Sequence, residues 1–193
     1  MSTFNGWNII SMPASPAPDA IEWQMEDVVG ANRSPFSLQQ QIYDWGAAIL
    51  RASLSFPLMP NAQAQAWIAF LMAAQGIGNI FSFGDPVNTG PQNPSATAGS
   101  VSGSGQSGFT LVTSSSGLTP GDWFSLGLRL YRVTSVAGGT LGIWPNIRES
   151  PADGTNLVIT NTSGLFRLTK NTRSVHMDKH RHHKIVFEIE EAI

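Results

Sequence analysis

Residues 48–78 read AILRASLSFPLMPNAQAQAWIAFLMAAQGIG, and a change of period inside this stretch sets the fold class. Over Ala48–Leu58 the pattern is extended. Leu50, Ala52, Leu54, Phe56 and Leu58 fall on one face, and Arg51, Ser53 and Ser55 on the other. Pro57 and Pro60 end the ladder, since proline has no N–H to donate. From Asn61 the period becomes helical: Ala64, Trp67, Ile68 and Leu71 lie at i, i+3, i+4 and i+7 and make one apolar stripe. Asn61 is the expected N-cap, accepting an early backbone N–H, and Gly76 the expected left-handed stop. The stripe should pack on the strand, so Leu54, Phe56, Trp67, Ile68 and Leu71 form the predicted core.

Upstream, Ile21, Trp23 and Met25 alternate with Glu22, Gln24 and Glu26, which predicts a half-buried strand over Ile21–Val29. A loop through Asn32 and Pro35 leads to a return strand over Phe36–Trp45. Its alternation is imperfect, so a bulge is expected. Trp7, Ile9 and Ile10 suggest a short strand before a proline-rich arm, Met12–Asp19. Downstream, Asn79–Phe83 resumes as a strand and Gly84-Asp85-Pro86 turns out of it.

Residues 87–98 are rich in Pro, Ser, Asn and Thr and read as a linker. Ser102–Gly108 also reads as a linker, because it lacks the Lys-Ser/Thr of a phosphate loop. Short strands follow at Phe109–Thr113, Trp123–Leu126, Leu130–Val136, Thr140–Trp144 and Leu157–Thr160, a spacing that predicts a small antiparallel barrel or sandwich. Gly164–Lys170 and Lys184–Glu191 then return as longer strands. Residues 1–86 and 164–193 are therefore expected to form one β domain, interrupted by a module at 99–163. A tandem arrangement is the alternative, if the last strands belong to the second unit.

Composition narrows the function. The chain has 193 residues, is 41% hydrophobic and carries only 12% charged residues, as suits a surface that buries itself against neighbours. A net charge of −2 gives no electrostatic reason for nucleic acid or anionic membrane as the main partner. The absence of cysteine excludes disulfides, thiol catalysis and thiolate metal sites. No signal peptide is visible, and the longest apolar stretch, Ala64–Ala74, is too short to span a bilayer. No nucleophile–base set or nucleotide-binding glycine pattern occurs, so the expectation is a non-enzymatic protein with no cofactor. All four histidines lie in His176–His183 and read as a polar surface tract, not a metal site.

Charge is uneven along the chain. Arg173, Lys179, Arg181 and Lys184 give the C-terminal segment a positive face, a candidate subunit contact. Glu22, Glu26, Asp27 and Asp44 cluster on the first hairpin. They read as a solvated acidic face, not an acid–base dyad.

The order of elements resembles that of siphophage distal-tail and minor-tail proteins with a tail-tube-like fold. Similar wording occurs in SPFSLQQQIYDW at 34–45, in Met59-Pro60 before the Ala/Gln helix with Trp67 and Phe70, and in FSFGDP at 81–86. Gly121-Asp122-Trp123, Leu130-Tyr131-Arg132-Val133, Ile143-Trp144-Pro145 and Pro151-Ala152-Asp153-Gly154 also match. The resemblance covers about 20–168 and leaves out the histidine-rich end. It implies a mainly β fold with one short helix: a tail-tube-like sandwich or barrel with an inserted small antiparallel barrel. It also implies a virion protein assembled in the bacterial cytoplasm as a ring of six copies. The ring would join the tail tube protein to the tail hub and tip proteins of the baseplate. DNA would meet it only in transit during ejection, with the carboxylates of the first hairpin lining the channel and no membrane insertion. The competing reading is a carbohydrate-binding module of a tail fibre or spike, with Trp123, Tyr131 and Trp144 stacking on sugars.

Overall fold

The computed structural model describes residues 3–114 and 117–193. It is mainly β with one helix, built as a large mixed sheet and a separate four-stranded antiparallel sheet. In chain order the first elements are β1 (Thr3–Phe4), β2 (Trp7–Ile10), β3 (Ala20–Arg33), β4 (Gln40–Ser55), β5 (Met59–Pro60), α1 (Asn61–Ala73) and β6 (Ile80–Phe83). Next come β7 (Thr110–Val112), β8 (Trp123–Leu126), β9 (Arg129–Ala137) and β10 (Thr140–Trp144). The chain ends with β11 (Gly164–Leu168), β12 (Val175–Met177) and β13 (His182–Glu191).

The large sheet runs β1-β2-β6-β11-β13-β4-β3, with β5 and β12 also paired to β13. Only β2–β6 is parallel among these pairings. Strands on either side of the 84–163 stretch thus share one sheet. β13 pairs with β11 on one edge and β4 on the other, and its alternation places Ile185, Phe187 and Ile189 in the core. Helix α1 covers the same face. Trp67 lies 4.1 Å from Phe56, ring centre to ring centre, and Phe70 meets Phe81 edge-on at 5.0 Å. Leu54, Phe56, Trp67 and Leu71 are buried, with Ile68 half-buried against them.

The second sheet runs β7-β10-β9-β8. Two further segments carry its hydrogen bonding from β8 back towards β7 through single bridges: Ser125 to Val158, Asn156 to Ser100, and Val101 to Thr113. A core of Leu111, Phe124, Tyr131, Leu141, Ile143 and Leu157, among others, fills the space they enclose. Trp123 and Leu130 point the other way and join the core of the large sheet, where Trp123 sits 5.3 Å from Trp23.

Several expectations change. The segments Phe36–Trp45 and Ala48–Leu58 are not two strands. They form one 16-residue strand, β4, that starts at Gln40 and stops at Ser55. Phe36 and Leu38 instead sit in the turn closed by Ser34 and Gln39, with Leu38 in the left-handed region at φ 60°. The expected bulge lies between Asp27 and Val29 in the β3–β4 register, where β4 carries Trp45, Gly46 and Ala47 opposite Val28. Gly46, at φ 64°, supplies the backbone freedom that this bulge needs. Leu58 is exposed and Met59 is buried, because the ladder ends before Pro57 and the alternation is lost there.

Asn61 does not cap α1. Pro60 holds the N-cap position, and the Asn61 carboxamide oxygen accepts from Gln65 Nε2 at 2.9 Å. At the other end the turn uses two left-handed residues, Gln75 at φ 50° and Gly76 at φ 67°.

Neither of the two segments read as linkers is a free tether. Gln92 N–H donates to Asp122 Oδ1 at 2.8 Å, Asn93 Nδ2 donates to Gly117 O, and Ala96 packs on the second core. In Ser102–Gly108 the Gln106 side chain accepts from Val112 N–H at 2.6 Å and donates to Ser102 O at 2.9 Å. A polar side chain thereby satisfies backbone groups as a neighbouring strand would.

Candidate functional site

The part of the fold with no cover is the outer half of the β3–β4 ribbon. Between Arg51 and Ser55, β4 is flanked by both β3 and β13. From Gln40 to Leu50 the only strand paired with it is β3, with Arg148 donating to the Ala48 carbonyl at the root, and β3 has no second strand partner along its length among the described residues. Both edges of the ribbon therefore expose unpaired backbone groups. At roughly 3.3 Å per residue, the register pairs from Val29–Asp44 to Arg33–Gln40 carry it about 15 Å past the bulge.

Both of its faces carry apolar side chains, with Asn32, Arg33, Gln40, Gln41 and Asp44 among them. Val29 and Ile42 continue the face that bears Ile21, Trp23 and Met25 at the base, while Val28, Tyr43 and Trp45 occupy the opposite face. Phe36 in the turn is 98% exposed, Ile42 66% and Trp45 65%. The Trp45 indole lies over Gly30, where an added Cβ would come within 2.5 Å of the ring. This exposed apolar surface is the candidate interaction site.

The four hairpin carboxylates are not gathered on one face. Glu22 and Glu26 alternate onto the solvent face of the sheet; Asp27 and Asp44 alternate onto the core-facing side. Each has its own surroundings. Glu26 is paired with Arg51, which also lies 3.5 Å from Glu190. Asp27 Oδ1 accepts from Trp144 Nε1 at 2.7 Å, tying the ribbon to the second sheet. Asp44 Oδ1 accepts from Gly46 N–H at 2.8 Å and shapes the bulge. Glu22 makes no hydrogen bond or ion pair among the described residues.

Cross-strand register adds two acidic groups that the hairpin pattern alone did not reveal. Glu188 stands opposite Ser53, which faces Glu22, and Glu190 stands opposite Arg51. The solvent face of β3, β4 and β13 thus carries Glu22, Glu26, Glu188 and Glu190 together with Arg51 and Lys184, and Arg167 of β11 stands opposite Glu190. Lys170 donates to Glu188 at 2.7 Å and holds its carboxyl below the usual range, despite slight burial acting the other way. The signal was present in the outward positions of Lys184–Glu191, but only the strand order brings them beside Glu22.

The basic candidates are spread out. Lys179 and Arg181 are exposed in the turn between β12 and β13, and Lys184 is exposed on β13 opposite His176. Arg173 is held back on the helix, donating from Nη1 to Leu71 O at 2.7 Å. Asp178 organises the turn. The backbone N–H groups of His182 and His180 hold its carboxyl below the ordinary value. His183 is buried, with Nε2 3.1 Å from Asn61 Oδ1, so the tract is not wholly a surface feature. Among the described residues no group of His, Asp or Glu converges as a metal site.

Three arginines fasten the end of β13. Arg148 pairs with Glu191, Arg129 donates to Ala192 O, and Arg167 reaches Ile193 O at 3.4 Å while lying over the Trp7 ring. Of the aromatics considered for sugar stacking, Trp123 and Tyr131 are buried in the two cores and present no ring face outward. Trp144 is half-buried and bonded to Asp27.

No protein-family model matches this chain, and no curated protein matches it.

Proposed function

We propose that the chain is a structural subunit of a phage tail tip, of the distal-tail type, assembling head-to-tail into a closed ring around the DNA channel. The observation that carries this reading is the β3–β4 ribbon, with both edges unpaired and apolar residues on both faces. A lone chain leaves that surface in water. In a ring, the β3 edge of one subunit pairs with the free Gln40–Asp44 edge of the next. Closure then pairs both free edges of the ribbon in every subunit. The resemblance in sequence supports six copies and a position between tail tube and hub.

The core-facing side of the ribbon is committed at its base to Ile21 and Trp23. The channel wall in this reading is therefore the opposite side, which bears Glu22, Glu26, Glu188 and Glu190. Glu26 and Glu188 are matched there by Arg51 and Lys170, and Lys184 shares the face, so the wall is of mixed charge and gives passing DNA no strong hold. Asp27 and Asp44 act in the ribbon's own geometry. The exposed turn of Lys179 and Arg181, with Lys184, meets carboxylates of the adjacent subunit.

Native mass spectrometry of the intact chain tests the assembly step. The triple substitution Phe36→Ser, Ile42→Ser, Trp45→Ser touches only exposed side chains, so monomer stability should change by no more than about 0.5 kcal/mol per site. Oligomers of the parent chain should disappear. Charge reversal at Arg181 and Lys184 should weaken them without unfolding the monomer. Oligomers unchanged in both variants would remove the support for this reading.

A further inference from the structure

Two buried arginines sit near the end of β13, and they differ in what neutralises them. Arg148 has a bidentate carboxylate, Glu191, and two more oxygen acceptors, Asn146 Oδ1 and Ala48 O. Arg129 is 6% exposed, yet among the described residues its only hydrogen-bond acceptor is the Ala192 carbonyl. Its guanidinium stands 5.1 Å from the centre of the Phe4 ring, and its Nε has no acceptor among the described residues. The facing carboxylate, Glu149 Oε1, is 3.7 Å away, too far for a hydrogen bond, on a side chain that is 70% exposed. Burying a cation is costly unless it is paired.

Arg129 lines a cavity of about 260 Å³ whose apolar wall includes Phe4, Leu126, Leu128 and Pro151. Cavities of about 150 Å³ already admit a benzene ring. Tyr131 also lines it. The tyrosine hydroxyl accepts from Arg148 N–H at 3.2 Å, which leaves its own hydrogen uncommitted. An arginine fork next to an apolar wall matches a carboxylate joined to an apolar body.

We propose that this cavity binds a carboxylate carried on an apolar group of side-chain size, gripped by Arg129, and that Glu149 is a loose placeholder the ligand displaces. The inference does not depend on ring formation. The carboxylate comes either from a free organic acid or from the C terminus of a docking polypeptide ending in an apolar residue.

Proton–nitrogen NMR titration of the full chain tests it, with phenylacetate, phenylacetamide, and the tripeptide Ala-Ala-Phe with a free or amidated C terminus as probes. Phenylacetate should give saturable shifts at Arg129 Nε–H and at the Leu128 and Tyr131 amides. Phenylacetamide should bind at least about tenfold more weakly. Tighter binding of the free-acid tripeptide than of phenylacetate, lost on amidation, would assign the site to a polypeptide terminus; the reverse order would assign it to a small acid. Glu149→Gln, at an exposed side chain, should tighten phenylacetate binding several-fold, and Arg129→Gln should abolish it. Absence of saturable shifts, equal binding of acid and amide, or no tightening in Glu149→Gln would overturn the proposal. The Glu149 arm keeps the test decisive even if Arg129→Gln fails to fold.

Discussion

Arg148 holds Glu191 with two parallel hydrogen bonds, 3.1 Å from Nε to Oε1 and 2.6 Å from Nη2 to Oε2. Their side chains are only 9% and 4% exposed. Arg148 belongs to the stretch after β10, Glu191 ends β13, and the same guanidinium also reaches the carbonyl of Ala48, just past the ribbon's bulge. One side chain thus joins the second sheet, the last strand and the root of the ribbon. Removing one partner strands the other charge. Arg148→Ala or Glu191→Gln should cost about 3–5 kcal/mol in urea unfolding, whereas Arg148→Met with Glu191→Leu should recover much of the loss. Equal losses in single and double variants would contradict this.

Trp67 is fully buried between Phe56, Phe70 and Phe187. Trp67→Ala should lower stability by about 3–5 kcal/mol, through lost transfer energy and an unfilled cavity. Ile68→Ala, at a half-buried position, should cost clearly less. Chemical denaturation of the two variants measures the difference.

The fold class was legible because local periods were clean. Leu50, Ala52 and Leu54 alternate, and the Ala64–Leu71 stripe repeats at helical spacing in a segment that is helical. The merging of two expected strands into β4 was not legible, because Gly46 at φ 64°, within a bulge that adds two residues to β4, reads as a turn and imitates a boundary. The glycine-rich segment misled for a different reason. Composition reports backbone freedom, but the bonds that remove it come from the Gln106 side chain, from Asp153 accepting Gly103 N–H, and from backbone bonds to Val112 and Ile147. The candidate acidic face was half legible: Glu22 and Glu26 share a strand, but their neighbours Glu188 and Glu190 lie far away in sequence and arrive only through strand order.

Gly84 has no room for a side chain. A Cβ there would stand 1.8 Å from the Thr162 carbonyl oxygen, a backbone atom that cannot move without shifting the chain entering β11. Gly90 faces open space. Gly84→Ala should therefore lower the melting temperature sharply and Gly90→Ala should not. Similar melting curves for the two would show that the turn after β6 is looser than described.

Acid should weaken the fold through specific carboxylates. Burial acts to raise Asp85, but hydrogen bonds from the Asn88 side chain and the Val87 and Asn88 N–H groups together hold it below its ordinary value. Glu188, beside Lys170, and Asp178, beneath the His182 and His180 N–H groups, are lowered too. For a lowered carboxyl, the stabilisation is present above the unfolded value, about 4, and is lost as pH falls through the folded one. Melting temperature should thus fall steeply below about pH 4. Glu188→Gln and Asp85→Asn should each flatten the slope; an unchanged slope in both would place the acid sensitivity elsewhere.

The central claim is tested most directly by single-particle electron microscopy of the chain at high concentration, with subunits fitted to the density. The account predicts closed rings, six-fold in symmetry, with the β3–β4 ribbons paired edge to edge and Glu22 and Glu26 facing the pore. A monomer that stays monodisperse at that concentration, or a ring whose ribbons lie on its outer rim, would contradict it.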